Sequence, residues 1–440
     1  MVVRNTAFFR RKVVLLTWVS RDADYKLPSE GTAANAMPAS LPEALFLSAA
    51  LSLLFVFVYG VCNALAAARA DVGTAFFAWE LRIPFVPALI LPYMSIDLFF
   101  VASFVLCSDR IELRTHARRI AAAILIAGCG FLLFPLTTGY SKPEVSGWSG
   151  RLFEFLWSFD KPHNLVPSLH VALASLLWPV YARHTRRLAR WLVNCWFALM
   201  IVSPLFTWQH HALDVATGAM LGQICVFAFP EARERALVRS AAPNFRVARY
   251  YAAGAIAFAI VAVVFGSWFL LLLWPAASLA LTASAYVRGD STIFRKKNGR
   301  LSISTRLVLG PYLIGAIISR LVYRGGREPW IEAAPGVYRG RLLTRREALA
   351  IKATGITGVL DMTAEHSETR AFVQVEYLNI PVLDLTKPSG KQFDEAVAFI
   401  AKHAGLGGVY VHCALGVSRS SAVVEAYLEA LPIEHAIQTG

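Results

Sequence analysis

Long apolar segments fill the first three-quarters of this 440-residue chain and restrict its fold more than any other feature. A helix needs about 20 apolar residues to cross the hydrocarbon core of a bilayer. Because 56% of the chain is hydrophobic and 16% is charged, we expect a multi-pass α-helical membrane domain. The apolar segments stop at about Tyr323, so we expect the last quarter to be soluble. The predicted spans are 43–67, 84–107, 120–138, 166–181, 188–206, 212–229, 250–265 and 267–287.

Basic residues are concentrated in alternate loops between these segments. Arginine clusters follow the second, fourth, sixth and eighth predicted spans, whereas the intervening loops are nearly neutral. The positive-inside rule then places residues 1–42 in the cytoplasm as a cationic tail, and the end of the eighth span on the same side. Membrane topology and contact with anionic lipid therefore explain the net charge of +14, and we expect no nucleic-acid partner.

Residues 307–322 form one further apolar segment. Gly310, Pro311 and Gly315 interrupt it, and arginines flank it on both sides. A ninth span and a re-entrant or in-plane helix are both open, and we favour the second because both flanks are basic. A true ninth span would move the soluble domain to the other side of the membrane.

From about Pro329 onward the chain alternates between short strand-like and helix-like patterns. Strands are predicted at 334–340, 358–362 and 376–382 and from Val409, and helices at 344–354, 390–403 and 420–431. Such alternation is typical of a small α/β layer fold. The first strand is expected to begin the soluble domain.

The stretch 409–420 is the most specific motif of the chain and predicts a buried strand, a tight loop and the start of a helix. The backbone N–H groups between Cys413 and Arg419 can then point at one anion, and the helix N-terminus adds partial positive charge. The same field favours the thiolate form of Cys413. Arg419 can hold two phosphate oxygens in a fork, and Ser420 can donate a hydrogen bond to the thiolate.

This stretch, with His412, Cys413, Gly416, Arg419 and Ser420 at their characteristic spacing, resembles the signature loop of the cysteine-dependent dual-specificity phosphatases. The resemblance implies that Cys413 attacks phosphorus and forms a thiophosphate, and that His412 is structural, holding the loop through its ring. The apolar interior of the loop argues against highly charged phosphoinositides. The predicted phosphate-binding residues of the loop are Ala414, Leu415, Gly416, Val417, Ser418 and Arg419.

A phosphatase of this kind needs an acid that protonates the departing oxygen. Asp384 lies after a predicted strand and before a predicted helix, and we assign the acid role to it. Asp361, at the end of another strand, is the alternative, although the family resemblance implies loop support at that position. The surroundings of Asp384 resemble the phosphatidylglycerophosphate phosphatase branch of the family.

Two polar loops lie on the charge-poor side of the predicted membrane domain. One contains Ser168 and His170, and the other contains His210 and Asp214. Polar groups at membrane depth are costly and are usually functional. His210 and Asp214 are four residues apart, so on a helix they share a face and the carboxylate can orient the imidazole.

The pattern Pro-Ser-Leu-His ending at His170, followed by His210-x-x-x-Asp214, resembles the type 2 phosphatidic acid phosphatase superfamily. The resemblance implies that His210 attacks phosphorus, Asp214 fixes His210, and His170 protonates the leaving alcohol. The usual basic phosphate clamp is missing, and Lys161 and Arg151 are the only nearby substitutes for it. The candidate phosphate-binding residues are Lys161 and Ser168. The motifs look closer to the inositol phosphorylceramide synthase branch, which transfers a headgroup between lipids, so the acceptor stays open.

The whole layout resembles a bacterial family of bifunctional inner-membrane phosphatases. We therefore predict a six-helix lipid-phosphatase core with two or three extra helices, followed by a small α/β cysteine-phosphatase domain. The predicted boundaries are 1–42 for the tail, 43–230 for the lipid-phosphatase-like domain, 231–325 for additional helices and a linker, and 326–440 for the phosphatase domain.

The leading hypothesis is a bifunctional enzyme acting on membrane phospholipids or lipid phosphates, with the Cys413 site in the cytoplasm and the histidine site in the periplasm. Neither site is expected to need a metal or a cofactor. The alternative is a membrane-tethered protein tyrosine phosphatase acting on phosphoproteins. A third hypothesis is a lipid-binding or flippase-like module with a degenerate outer site. The other five cysteines lie in apolar segments and predict no disulfide framework.

Overall fold

The computed structural model describes residues 37–69, 72–141, 143–160, 163–231 and 243–431. Most of the predicted tail and the phosphate-binding candidate Lys161 lie outside these residues. The described chain forms a helical region followed by an α/β domain with a five-stranded sheet. The predicted order of a helical part and then a small α/β part is confirmed.

The helices of the first part follow the predicted spans closely. In chain order they are α1 (Leu41–Ala67), α2 (Ile90–Met94), α3 (Ile96–Leu106), α4 (Arg110–Leu133), α5 (Gly147–Phe159), α6 (Leu169–His184), α7 (Arg187–Phe206), α8 (Ala212–Ala228), α9 (Phe245–Phe265) and α10 (Leu273–Arg288). Among the described residues, six helices are long and apolar enough to cross a bilayer: Leu41–Ala67, Pro87–Leu106, Arg110–Leu133, Arg187–Phe206, Phe245–Phe265 and Phe269–Arg288.

Three helices differ from a simple series of spans. α6 and α8 have 16 and 17 residues, which at about 1.5 Å per residue is less than a hydrocarbon core of about 30 Å. α5 lies in the predicted loop between the third and fourth spans. Its buried residues Phe153 and Leu156 pack against Ile90 and Tyr93, so part of this loop is an amphipathic helix that packs on α2.

α6 and α8 pack closely along two glycines. A Cβ atom on Gly218 would meet the carbonyl oxygen of Ser168 at 2.3 Å, and one on Gly222 would meet Cβ of Ser175 at 2.7 Å. Glycine at these positions lets the two backbones approach, as is common between membrane helices. The N–H of Ser168 also donates to the carbonyl oxygen of Asp214 at 3.1 Å. The N-terminal ends of α6 and α8, with the two polar loops, are thereby held together.

Between α10 and the α/β domain the chain forms a hairpin, β1 (Lys296–Lys297) and β2 (Arg300–Leu301), and two helices, α11 (Ile303–Val308) and α12 (Gly310–Tyr323). The segment predicted at 307–322 is thus divided between α11 and α12. α12 has 14 residues, which is fewer than the about 20 that a span needs. The N–H of Tyr312 donates to Oγ of Ser278 at 3.3 Å, which holds α12 against α10.

The α/β domain is built on a sheet of order β3-β4-β7-β5-β6 in which β3 runs antiparallel to β4 and the other neighbours are parallel. Its strands are β3 (Trp330–Ala334), β4 (Val337–Arg341), β5 (Gly358–Thr363), β6 (Glu376–Val382) and β7 (Val409–Cys413), and its helices are α13 (Arg345–Lys352), α14 (Gly390–Ala404) and α15 (Arg419–Glu429). β7 is central and fully buried. It ends at Cys413, at the strand edge where open parallel sheets bind ligands.

The hairpin β1–β2, which lies in the predicted linker region, packs into the α/β domain. The ammonium group of Lys296 is buried and bonds the carboxylate of Asp361, and it donates to Oγ1 of Thr363 at 2.9 Å. The hydroxyl of Tyr377 donates to the same carboxylate at 2.6 Å. Burial raises the pKa of Asp361, but the charges of Lys296 and His412 bring this pKa below its ordinary value. The ionised pair therefore ties the hairpin to β5.

Replacing Lys296 with methionine is expected to destabilise the fold by about 3–5 kcal/mol, because it leaves the buried Asp361 carboxylate without its counter-ion. The melting temperature of the full chain in detergent should fall accordingly. Lys297→Met is the matched control, since Lys297 is the exposed neighbour in the same hairpin. Equal melting temperatures for the two variants would show that the buried ion pair contributes nothing to stability.

Candidate active site

The loop between β7 and α15 forms a cradle around the sulfur of Cys413. Gly416 has φ +75°, and a Cβ atom there would meet the carbonyl carbon of Gly340 at 2.8 Å. Only glycine fits this left-handed conformation against β4 without displacing the backbone. As a result, the N–H of Gly416 points inward and donates to Sγ of Cys413 at 3.3 Å.

The surroundings of Cys413 favour its thiolate. The side chain is 3% exposed, and the hydroxyl of Ser420 donates to Sγ at 3.3 Å. Burial alone raises the pKa of the thiol, but the positive charge of Arg419 and the hydrogen bonds from Ser420 and the loop lower it to about 7. A large fraction of the sulfur is therefore nucleophilic at neutral pH. The structure brings Cys413, Arg419 and Ser420 together as the sequence predicts.

Arg419 is buried and held by an acidic partner that the sequence analysis did not assign. Its Nη1 and Nη2 atoms donate to Glu365 at 3.0 and 2.9 Å, and Nη1 also donates to the carbonyl oxygen of Val382 at 2.8 Å. Burial raises the pKa of Glu365, but Arg419 lowers it to about 2. Nε of Arg419 has no hydrogen-bond partner among the described residues. Nε is therefore available for a phosphate oxygen, whereas Nη1 and Nη2 already have acceptors.

Asp384, the predicted acid, lies beside Arg419. Its Oδ1 is 3.0 Å from Nη2 of Arg419, and its side chain is 49% exposed. A phosphate that bridges Nε and Nη2 of Arg419 would have to displace this carboxylate from Nη2. The alternative acid, Asp361, is fully buried and bonded to Lys296 and Tyr377, so it has no access to a substrate.

His412 is buried on β7 and faces away from the phosphate cradle. Its Nε2 lies 2.7 Å from Oε2 of Glu368, and its ring stacks on Tyr410. Burial lowers the pKa of His412, but the carboxylates of Asp361 and Glu368 raise it above its ordinary value. The residue thus links β7 to the segment after β5, whereas the resemblance to the signature loop predicts that its ring holds the loop. Ligand atoms of Asp361, Glu368 and His412 lie within 4.8 Å of one another, but the ammonium group of Lys296 already supplies a cation there.

The cavity beside the cradle is shared between the two parts of the chain. It has a volume of about 170 Å³. The α/β domain contributes Glu365, His366, Asp384, Ala414 and Leu415. The helices α9, α10 and α12 contribute Tyr251, Leu279, Pro311, Tyr312, Ala316 and Arg320. A substrate bound here therefore contacts apolar helices of the first part as well as the loop after β7.

A second, more open groove lies on the other side of the loop. Its volume is about 490 Å³, and it is lined by Trp330 and Ile331 of β3, by Arg339 of β4 and by Val417 of the loop. Arg339 is paired with Glu425 across this groove at 4.0 Å. Leu415, Gly416 and Val417 of the loop line this groove, whereas Cys413 and Arg419 do not.

The histidine motifs meet at the N-terminal end of α8. Nδ1 of His210 lies 3.3 Å from Oδ2 of Asp214, which also accepts from the N–H of His211 at 2.8 Å. A small cavity of about 40 Å³ beside them is lined by Tyr59, Asp160 and His210 among others. His210 and Asp214 are thus brought together as predicted.

The other predicted residues of this region are placed differently. His170 stacks on Tyr93, and its Nε2 donates to the carbonyl oxygen of Met200 at 3.0 Å; His170 does not line the small cavity. The hydroxyl of Ser168 is buried and caps α6, accepting from the N–H of Val171 at 3.4 Å. Lys161 lies outside the described residues.

Glu80 belongs to this region, although no sequence motif indicates it. Glu80 is fully buried and accepts from the N–H of Ala212 at 2.8 Å, and its Oε2 lies 3.1 Å from Nδ1 of His211. It therefore fixes the turn that carries His210. Its only signal in the sequence is that it is the lone acidic residue, with Arg82 close by, in an otherwise apolar stretch.

Comparison with known proteins identifies the C-terminal part. The family model "Dual specificity phosphatase, catalytic domain" matches residues 343–430. Dual specificity protein phosphatase 12 of Homo sapiens is 36% identical over 118 residues, covering 24% of this chain and 34% of that protein. Dual specificity protein phosphatase 26 of Bos taurus is 35% identical over 133 residues, covering 27% of this chain and 60% of that protein. Dual specificity protein phosphatase 26 of Homo sapiens is 31% identical over 157 residues, covering 31% of this chain and 72% of that protein. The chain thus spans 34% and 60% of the length of the first two relatives.

Proposed function

We propose that this chain, which belongs to the dual specificity protein phosphatase family through its C-terminal domain, removes phosphate from phosphomonoesters carried by membrane lipids. The phosphatase chemistry follows from the family. The lipid substrate is supported by the cavity beside Cys413, which is walled by α9, α10 and α12. α9 is among the helices long and apolar enough to cross a bilayer.

In the first half of the reaction Sγ of Cys413 attacks phosphorus and the bond to the leaving oxygen breaks. The cradle N–H groups and the Nε–Nη2 edge of Arg419 hold the equatorial oxygens, where negative charge is greatest. Asp384, protonated, gives its proton to the leaving oxygen. The products of this half are the alcohol and a thiophosphate on Cys413.

In the second half water attacks the phosphorus of the thiophosphate. Asp384, now a carboxylate, takes the proton from this water, and the sulfur leaves as a thiolate. The hydrogen bonds from Ser420 and Gly416 to Sγ stabilise that thiolate, which makes it a better leaving group. Inorganic phosphate is released and the resting state returns.

The alternative substrate is a phosphoprotein, for which the open groove beside Val417 provides room. The two substrates are separated by measuring phosphate release by the full-length chain from a diacylglycerol phosphate in mixed micelles and from a phosphotyrosine peptide. A higher kcat/KM for the lipid is expected. A strong preference for the peptide would instead support a membrane-tethered protein phosphatase.

A second lipid-phosphate site around His210 is part of the proposal. The pairing of His210 with Asp214 suits an imidazole that attacks phosphorus through Nε2, because the carboxylate holds the proton on Nδ1. Oδ1 of Asp214 is buried without a hydrogen-bond partner among the described residues. His170 does not line the cavity beside His210, and its Nε2–H is engaged by the carbonyl oxygen of Met200, so this arrangement gives it no proton to deliver to a leaving alcohol and leaves the acid of this site unassigned. Hydrolysis and transfer to a second lipid are both compatible with this arrangement.

His210→Ala is expected to remove the lipid-phosphate turnover or headgroup exchange that remains in a Cys413→Ser background, because it deletes the proposed nucleophile. His184→Ala serves as control, since His184 lies at the opposite end of α6. Phosphate release and headgroup exchange are followed with a radiolabelled lipid phosphate. Unchanged turnover in the His210 variant would favour a binding or flippase-like module at this site.

We place the two sites on opposite sides of a bacterial inner membrane. The basic run after α10, which includes Arg295, Lys296, Lys297 and Arg300, favours a cytoplasmic α/β domain by the positive-inside rule. A reactive thiolate also persists best in a reducing compartment. The histidine site, carried by charge-poor loops, would then face the periplasm.

A further inference from the structure

One cation in the cavity beside Cys413 is not used by the phosphatase chemistry. Arg320, on α12, lines this cavity together with Glu365, His366 and Asp384. Nε of Arg320 is buried and donates no hydrogen bond to any described residue. Arginine has five N–H donors in a rigid fork, so a buried Nε without an acceptor indicates that a ligand completes its bonding.

The negative charge around the cavity also exceeds what the single guanidinium of Arg419 can balance. Glu365 and Asp384 both lie against the single guanidinium of Arg419, at 2.9 and 3.0 Å. A phosphate dianion and the thiolate of Cys413 add further negative charge to this group. Burial lowers the pKa of His366 below its ordinary value, so His366 is neutral at pH 7 and does not balance it. Arg320 is the remaining cation among the described residues that line the cavity.

We infer that Arg320 binds a phosphate oxygen of the lipid substrate and positions the substrate for attack by Cys413. The inference rests on the proposed function and names the residue that recognises the headgroup. The ligand chemistry is a phosphate oxyanion, either of the reacting monoester or of a second phosphate in the same headgroup. Because Arg320 belongs to α12 and not to the α/β domain, substrate recognition is shared between the two parts of the chain.

The test compares Arg320→Met and Arg320→Lys with Arg306→Met in the full-length chain in micelles. Arg306 is the matched control, because it is an exposed arginine on the neighbouring helix α11. The first measurement is the inhibition constant of inorganic phosphate against hydrolysis of an aryl phosphate. The second is kcat and KM for a diacylglycerol phosphate and for a lipid that carries an additional phosphodiester.

If Arg320 binds the reacting phosphate, Arg320→Met raises the inhibition constant of inorganic phosphate about tenfold, the usual order for a charged hydrogen bond. If it binds a second phosphate, this constant is unchanged and KM rises about tenfold only for the lipid with two phosphates, with kcat preserved. Arg320→Lys should recover part of either effect, since it keeps the charge but loses the fork.

Unchanged constants in both measurements would overturn the inference. If the unmodified chain hydrolyses no lipid phosphate at all, the proposed lipid function fails, and the measurement with inorganic phosphate still decides whether Arg320 binds a phosphate. A change of the same size in Arg306→Met would show a general electrostatic effect of the basic helices and would equally overturn the role of Arg320.

Discussion

Replacing Cys413 with serine is expected to abolish hydrolysis by the α/β domain while inorganic phosphate still binds. The thiol, with a pKa of about 7, is extensively ionised at neutral pH, whereas a serine hydroxyl stays protonated and is a poor nucleophile. The cradle N–H groups and the free Nε of Arg419 do not depend on the sulfur. Turnover is measured with an aryl phosphate, and phosphate binding by titration calorimetry.

Cys129→Ser provides the matched control for this change. Cys129 is an exposed cysteine on α4, remote in sequence from the loop, and its variant should keep full activity. A Cys413→Ser variant that hydrolyses the aryl phosphate at the parent rate would contradict the assignment of the nucleophile. Loss of phosphate binding together with activity would point instead to collapse of the loop.

Changing Asp384 to asparagine is expected to slow the hydrolysis of substrates with poor leaving groups by about 10²–10⁴, the usual contribution of a general acid. An alkyl phosphate such as a lipid needs its leaving oxygen protonated, whereas an aryl phosphate leaves well without help. The structure supports this role because the half-exposed Asp384 lies 3.0 Å from the guanidinium of Arg419. The comparison is made by measuring kcat for alkyl and aryl substrates.

Comparing the loss of rate on alkyl and aryl phosphates distinguishes an acid role of Asp384 from a structural role. Asp394→Asn, an exposed acidic residue on α14, should change neither rate and serves as control. Equal losses on alkyl and aryl phosphates in Asp384→Asn would indicate that Asp384 mainly orders Arg419. Leaving-group assistance would then have to come from another residue of the cavity.

The local features of the phosphatase domain were predictable because they depend on short stretches of sequence. The strand predicted at 376–382 is β6 to the residue, and the helix predicted at 390–403 differs from α14 by one residue. The motif 409–420 fixes the strand, loop and helix that surround Cys413. The left-handed backbone at position 416 requires glycine, and the glycine of the motif already predicts a tight loop there.

The partners of the site were not predictable, since they come from distant parts of the chain. Glu365 meets Arg419 across 54 residues, and Lys296 meets Asp361 across 65. Arg320 reaches the same cavity from a helix that the sequence indicated only as an apolar segment with basic flanks. Pairings of this kind depend on how α12 and the hairpin β1–β2 dock, and no periodicity or motif within either segment specifies that.

In the histidine region, too, local contacts were predictable from the sequence and contacts between distant segments were not. The pairing of His210 with Asp214 follows from their spacing at the start of α8, and the structure has it. The cap formed by Ser168 is a contact within three residues at the start of α6, so it is local as well. The contact of Glu80 with His211 joins positions 131 residues apart and depends on how the turn before α2 packs against α8, so spacing alone could not reveal it.

The most direct measurement traps the covalent intermediate during turnover of a lipid. The full-length chain in micelles is mixed with a diacylglycerol phosphate labelled on its phosphate, denatured rapidly and digested, and the labelled peptide is identified by mass spectrometry. We expect label on the peptide containing Cys413, with none there in the Cys413→Ser variant. Label confined to the peptide containing His210, or a Cys413 peptide labelled by an aryl phosphate but never by the lipid, would show that Cys413 does not act on lipid phosphates.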